Sequence, residues 1–280
     1  MALSVGIGLT NDCNLHCAHC YRPTDGVYAL SLDDIAAICD HLPVASMGFG
    51  TGENALHPQF GDIVAYLAGR GVRLSMASNG YSLNHMSEQQ LTAFHDVEVS
   101  ILATMMEINY AQMDALAEVA RERQVNLRVN VYQPVHTDRF SLSYEAFWEG
   151  FRRLLGSARL LSCTEPVVQA VLGMDTVRSP CGHESVRVTP TSTVAPCVYW
   201  PSSSLTIDDL LRQGQGILDS EEFAQARRIP DAAAQCPCQG GCASRRALLG
   251  DLDQHDPYCP WTHGGPLRLD HEWAEHKELV

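Results

Sequence analysis

Apolar and polar positions follow two rhythms along the chain. Residues 5–9 form a short apolar run ending at Thr10-Asn11-Asp12, which predicts a strand followed by a loop. From Ser31 the period lengthens. Ile35, Ile38, Cys39 and Leu42 recur at helical spacing, Ser31 offers an N-cap, Asp33 and Asp34 fill the first turn, and Pro43 stops the helix. Cys39 lies on that apolar stripe and reads as a packed core thiol. Further strands are predicted at 46–49, 72–77, 97–103 and 125–132. Helices are predicted at 59–69 (closed by Gly71), 88–95, 107–124 and 144–155. A sixth strand falls at 159–163 or at 167–172.

Regular strand–helix alternation predicts an α/β fold with a parallel sheet. Six such units in about 170 residues are too few for a closed eight-unit barrel of about 250 residues, so a partial (β/α)6 TIM-like barrel is expected. Strand parity says what such a barrel encloses. Val72, Leu74 and Met76 share the apolar side of the third strand. Val97, Val99 and Ile101 do so in the fourth, and Leu127, Val129 and Val131 in the fifth. The other parity carries Arg73 and Ser75, then Glu98 and Ser100, then Arg128, Asn130 and Tyr132. A polar lumen fits a ligand, or an internal hydrogen-bond network, better than a packed core. Past residue 179 helical periodicity weakens, while Pro, Gly and Cys cluster. The expected division is a barrel at 1–176, a small cysteine-rich extension at 177–265 and a tail at 266–280.

Composition narrows the classes. No apolar run approaches the roughly 20 residues of a membrane helix, and residues 1–10 carry no basic signal region, so a cytoplasmic protein is expected. The net charge of −14 comes without a basic cluster, which argues against a nucleic-acid partner. That acidity serves solubility, or attracts a cationic substrate. The eleven cysteines change the picture most. Without an export signal they read as metal ligands or redox groups, not as a disulfide framework.

Cys13-Asn14-Leu15-His16-Cys17-Ala18-His19-Cys20 directly follows the first strand, where an α/β barrel places its functional loops. Three thiolates on one loop can hold three corners of a cubane iron–sulfur cluster and leave one iron open. Zinc on two or three of them with His16 or His19 is the competing reading. At these residues the chain resembles the radical S-adenosylmethionine (SAM) superfamily, whose signature is C-x-x-x-C-x-x-C after the first strand of a partial (β/α)6 barrel. The resemblance implies a [4Fe–4S] cluster on Cys13, Cys17 and Cys20, with SAM chelating the open iron. It implies that an electron from the cluster, supplied by a donor such as flavodoxin or ferredoxin, cleaves SAM to methionine and a 5′-deoxyadenosyl radical. His19 stands where the family usually has an aromatic residue near the adenine.

Gly50-Thr51-Gly52-Glu53-Asn54, at the end of the second strand, resembles the family's G-G-E-P segment, which binds the SAM amino group. Thr51 and Asn54 depart from it, and Gly52 and Glu53 remain. The family places ribose- and carboxylate-binding groups on the next strands. Asn79, Ser100, Arg128 and Asn130 are the candidates here.

Cys181 and Cys197 flank an alternating stretch, 186–196, that predicts a hairpin, followed by a helical segment with Leu205, Ile207, Leu210 and Leu211. Then come Cys236-Pro237-Cys238-Gln239-Gly240-Gly241-Cys242 and, after Asp256-Pro257-Tyr258, Cys259. This arrangement resembles the SPASM domain and its shortened relative, twitch, which carry one or two auxiliary [4Fe–4S] clusters. The resemblance assigns Cys181, Cys197 and Cys242 to one cluster and Cys236, Cys238 and Cys259 to another. The core here is C-x-C-x3-C in place of C-x-x-C-x5-C-x3-C, so each set lacks a fourth ligand. Cys163, His183, water or substrate are the candidates for it. One full cluster with two spare cysteines, and a zinc knuckle, are the alternatives.

Members with such extensions modify ribosomally made peptides or oxidise and epimerise small metabolites. The chain begins at its first strand, and its acidity suits a cation. Both lean towards a small amine-bearing metabolite of aminocyclitol or sugar type, with peptide modification as the alternative. A non-catalytic zinc or iron–sulfur binding protein is the rival of another class. Dehydrogenation, with an auxiliary cluster taking the second electron, and epimerisation are the expected reactions. In epimerisation Cys163 is the candidate hydrogen donor.

Overall fold

In the computed structural model, residues 2–94, 100–157, 164–174, 181–183, 185–265, 267 and 269 are described. Their elements, in chain order, are β1 (Leu3–Gly8), α1 (Leu32–His41), β2 (Val44–Gly50), α2 (Phe60–Gly69), β3 (Arg73–Met76), α3 (Tyr81–His85), α4 (Glu88–Thr92), β4 (Ser100–Met105), α5 (Met113–Glu122), β5 (Asn126–Val131), α6 (Tyr144–Ser157), α7 (Pro166–Val171), β6 (Ser185–Val188), β7 (Val194–Ala195), α8 (Ile207–Gln213), α9 (Glu221–Arg227) and α10 (Ala243–Leu248). The chain divides into two units. One holds Met1–Val97 with Pro180–Arg227, the other Glu98–Ser179 with Arg228–Val280. Among the described residues no helix is long and apolar enough to cross a membrane.

The first unit is built on a five-stranded sheet of order β3-β2-β1-β6-β7. Its first four strands are parallel, and only β7 runs antiparallel, as the return arm of a hairpin from β6. Alternation decides which face is covered. Leu3, Val5, Ile7, Met47, Phe49 and Leu74 point one way into a core with Ile35 and Ile38 of α1 and Ile63, Val64 and Leu67 of α2. The other face of β1 and β2 carries Ser4, Gly6, Gly8, Ser46, Gly48 and Gly50. That face therefore has almost no side-chain bulk. Helix α1 starts as expected: Ser31 and Asp34 form a reciprocal capping box, and Cys39 is buried in the core.

The second unit pairs β4 with β5 in parallel. Leu127, Val129 and Val131 are buried on one face, against Ala146, Phe147, Phe151 and Leu154 of α6. The other face aligns Leu102 with Arg128 and Thr104 with Asn130. The expected parity of β5 thus holds. Tyr132 departs from it. It leaves the strand, packs with Met106 and Phe140, and donates its hydroxyl to the Thr137 carbonyl at 2.7 Å.

Two expectations are corrected. Residues 167–172 are helical, not a sixth strand: α7 starts with Pro166 at its first turn, where the missing N–H costs nothing. A short, largely apolar segment does not by itself separate strand from buried helix. The strand beside β1 is instead β6, from the stretch read as a hairpin arm. The other sixth-strand candidate, 159–163, lies outside the described residues. The helix expected at 107–124 begins only at Met113. Asn109 delays it, because its side chain accepts from Met106 N (2.7 Å) and donates to the Thr104 carbonyl (3.0 Å).

A buried ion network ties the second unit together. Arg245 on α10 donates to both oxygens of Glu165 (2.9 and 2.8 Å) and to Asp256 Oδ2 (2.7 Å), and its guanidinium lies 4.7 Å from the Tyr258 ring centroid. The Arg245 and Asp256 side chains are 2 % and 0 % exposed, so water screens none of this. Desolvation pushes the Glu165 carboxyl up, against the pull of Arg245. Removing one partner would strand a buried charge, at a cost of about 3–5 kcal/mol. Arg245→Ala is therefore expected to lower the thermal midpoint of the protein sharply. Arg121→Ala, at an exposed helix pair with Glu118, should leave it unchanged. Equal midpoints for the two variants in calorimetry would contradict this account.

Candidate functional site

The three-cysteine loop is organised by its neighbours before any ligand arrives. Asn11, 1 % exposed, pins the segment behind it. Its Nδ2 donates to the carbonyls of Pro23 (3.0 Å) and Gly26 (2.8 Å), and its Oδ1 accepts from Tyr28 N (2.6 Å). Arg22 donates to the carbonyls of Asn11 (2.7 Å) and Leu15 (2.9 Å) and so closes the loop on itself. Cys13 and Cys20 are half-buried and Cys17 is exposed, so one edge of the loop faces solvent. Leu15 N donates to Cys13 Sγ at 3.4 Å, and Asn79 Nδ2 stands 3.8 Å from the same sulfur. Donors aimed at a cysteine sulfur stabilise the thiolate that iron ligation requires. The donor set fits a cluster on this loop.

The β2 loop sits directly on this one. Thr51 (φ 66) and Gly52 (φ 71) are left-handed. A Cβ at residue 52 would stand 2.5 Å from both the Thr10 and Asp12 carbonyl oxygens, so only glycine fits. Glu53 N then donates to the Asp12 carbonyl at 2.7 Å. The Glu53 side chain, 1 % exposed, turns inward. It accepts from Ser78 Oγ (2.5 Å), Asn79 N (2.9 Å) and Ser82 N (2.9 Å). Burial raises its pKa, but these three donors outweigh that and hold the carboxyl below its ordinary value. Glu53, expected to meet an ammonium group, thus spends its charge on the 78–82 turn. That turn presents Asn79, whose Nδ2 donates to Asn14 Oδ1 at 2.9 Å. Cys13, Gly52, Glu53 and Asn79 are brought together.

Of the other expected residues, His19 belongs to the first unit and Ser100, Arg128 and Asn130 to the second. His19 is half-buried on the cysteine loop. Ser100, Arg128 and Asn130 share the β4–β5 face that does not pack on helices, with Arg128 exposed. Cys163 lies outside the described residues. Cys181 and Cys197 belong to the first unit and Cys242 to the second. His183 lines a pocket with Leu3, Gln215, Leu218, Asp219 and Arg227.

Cys236, Cys238 and Cys259 do converge. Their Sγ atoms stand 3.0, 3.2 and 3.3 Å apart. The hydrogen bond from Cys238 pulls the Cys259 thiol down to about 6, while burial pushes the Cys236 thiol up. Asp256 positions their loops. Its Oδ2 accepts from Cys242 N (2.8 Å), its Oδ1 from Tyr258 N (3.0 Å), and its carbonyl from Cys259 N (2.9 Å).

Sequence reasoning missed two features of the first unit. Tyr21, next to Cys20, bonds Thr51 Oγ1 at 3.0 Å and packs edge-on against Tyr199, 5.1 Å between centroids. An aromatic residue directly after the last cysteine was the available signal. Arg187 on β6 lies over Gly6 of β1, so close that a Cβ there would overlap it. Only the β1–β6 register reveals that.

Glu53→Gln tests the loop architecture. The amide would aim N–H groups at the donors of residues 78–82, costing about 1–3 kcal/mol and loosening Asn79. The folded carboxyl titrates below its unfolded value. Its contribution is therefore full above the ordinary carboxylate range and disappears as pH falls through the depressed value. Urea midpoints of wild type and Glu53→Gln should differ at pH 7 and converge in acid. A gap that stays constant as the pH falls into the acid range would contradict the account.

Comparison with known proteins places this geometry. Residues 7–157, more than half of the chain, match the Radical SAM superfamily. Over 92 % of its length the chain is 22 % identical to mycofactocin maturase MftC of Mycobacterium tuberculosis, covering 83 % of that protein. Streptococcus suis SuiB, solved bound to S-adenosylmethionine, superimposes with a TM-score of 0.65 at 12 % identity, over 92 % of this chain and 77 % of that one. The enzyme anSMEcpe, solved with AdoMet and the Kp18Cys peptide, gives 0.66 at 15 % identity, over 94 % and 95 %. These likenesses make the fold the expected one, an α/β partial barrel with a cysteine-rich C-terminal region. The chain belongs to the radical SAM superfamily and is an enzyme that binds a [4Fe–4S] cluster and S-adenosylmethionine.

Proposed function

We propose that this enzyme is a peptide maturase, which uses a 5′-deoxyadenosyl radical to take hydrogen from a ribosomally made peptide. The observation that carries this reading is coverage. Its likeness to a protein named as a maturase runs through 92 % of the chain and therefore includes the C-terminal region. SuiB, solved bound to its precursor peptide SuiA, and anSMEcpe, solved with a peptide, support the same reading. The small amine-bearing metabolite stands second. Its support is the net charge of −14, which suits a basic peptide segment equally well.

In this reading Cys13, Cys17 and Cys20 ligate three irons of the catalytic cluster. When bound, that cluster supplies the electron that splits S-adenosylmethionine, and a flavodoxin- or ferredoxin-like donor replenishes it. Gly52 lets the β2 loop approach the cluster loop, and Glu53 holds the turn that carries Asn79. His19 and Asn79 in the first unit, and Ser100, Arg128 and Asn130 in the second, are the candidates to bind the adenosine, the carboxylate or the substrate. In an extension at 177–265, Cys181 and Cys197 of the first unit and Cys242 of the second are candidate ligands for auxiliary clusters. Cys163 returns hydrogen if the outcome is epimerisation. An auxiliary cluster, when bound, would supply an acceptor for the second electron if the outcome is dehydrogenation or crosslinking.

Anaerobic reconstitution with iron and sulfide, followed by dithionite and SAM, should yield 5′-deoxyadenosine, and Cys13→Ala should reduce it to the enzyme-free background. In deuterated water with synthetic precursor peptides, a two-mass-unit loss marks dehydrogenation or crosslinking, and a one-unit gain marks epimerisation. The peptide reading fails if no peptide is altered while an aminocyclitol or amino sugar is consumed.

A further inference from the structure

The C-terminal thiols are packed too tightly for a cubane. In a [4Fe–4S] cluster each thiolate sits on its own iron, with sulfide between the irons, so the cysteine sulfurs stand well apart. On one tetrahedral ion with metal–sulfur bonds of about 2.3 Å, two thiolates stand only about 3.8 Å apart. Cys236, Cys238 and Cys259 have Sγ separations of 3.0–3.3 Å. A small opening admits one ion, and a cubane needs far more. The surroundings resist a large opening. Cys238 and Cys259 are 1 % and 0 % exposed and belong to the apolar core of their unit.

A fourth donor is at hand. Cys236, His255 and Cys259 bring ligand atoms within 4.8 Å of one another. Among the described residues, buried His255 Nδ1 has no hydrogen-bond partner. A buried ring nitrogen left without a partner is costly unless something takes its lone pair. The loop is also shaped beforehand. Gly241 N donates to the Cys238 carbonyl (2.8 Å), and Gln239 N to that of Cys236 (2.9 Å). Gly241 is left-handed (φ 67) and lies against Asp256, where a Cβ would clash at 2.4 Å.

We infer that Cys236, Cys238, His255 and Cys259 form a Cys3His site for a single tetrahedral zinc ion, in place of a second auxiliary cluster. Three thiolates and one imidazole are a structural zinc donor set. The ion would lock residues 236–242 to 255–259. His255 was not singled out by spacing, because the chain folds it against Cys236 from nineteen residues away.

Full-length protein, purified and then reconstituted with iron and sulfide, should hold one zinc per chain by mass spectrometry. Zinc K-edge absorption should show three sulfurs near 2.3 Å and one nitrogen at about 2.0–2.1 Å. His255→Ala should lose the zinc. His255→Cys should keep it with four sulfurs, which separates a ligand from a residue needed only for folding. The Cys13→Ala variant should keep its zinc while losing iron, so loss of the radical reaction does not decide this inference. Iron bound in place of zinc, with Cys236→Ser removing a cluster's worth of iron and sulfide, would overturn it. So would a zinc shell unchanged in His255→Ala.

Discussion

The site rests on a close backbone approach. Two carbonyls, Thr10 and Asp12, occupy the space where any side chain at residue 52 would stand. Only glycine, in a left-handed conformation, lets the β2 loop lie against the β1 loop. Everything at that end of the first unit follows from the contact. Glu53 N reaches the Asp12 carbonyl. Its buried carboxylate gathers three donors from residues 78–82, and the turn so formed sets Asn79 beside Asn14 and Cys13. One small residue thus couples three successive strand-to-helix loops. A carboxylate that in isolation looks like a ligand for a cation serves here as the internal anchor of a loop.

The second unit solves a different problem. It must bring cysteines from two segments together without a long regular element between them. A desolvated arginine does this. Arg245 is held by Glu165 on one side and Asp256 on the other. Asp256 in turn fixes the backbone of Cys242, Tyr258 and Cys259. Tyr258 stacks on Phe147 at 4.1 Å, and Trp148 Nε1 donates to the Tyr258 carbonyl at 3.0 Å, which joins the thiol loop to helix α6. Such a network adds little over an apolar core of equal volume, but it specifies one arrangement because each partner leaves a buried charge if displaced.

The two cysteine-rich regions differ in kind. The N-terminal loop is partly open, with Cys17 exposed, as suits a cluster that must admit a cofactor. Of the C-terminal thiols, Cys238 and Cys259 are buried in an apolar core, with Cys236 partly buried against it, as suits a group that holds a fold in place. Buried, charge-compensated ligands favour permanence, and exposed ones favour exchange.

Much of this was legible in the chain itself. The three cysteines after the first strand, the N-cap at Ser31 and the apolar parity of β5 are local patterns. Each depends on residues a few positions apart, and each stands in the structure where expected. Tertiary packing decided the rest. The apolar run at 167–172 became a helix, since a short buried segment has no period of its own to select a strand. The strand beside β1 came from residues 185–188, a pairing between segments about 180 positions apart that no local rule records. Glu53 turned inward, and His255 came to Cys236, because hydrogen-bond and ligand geometry are settled by three-dimensional proximity. Sequence spacing measures proximity only within a single element.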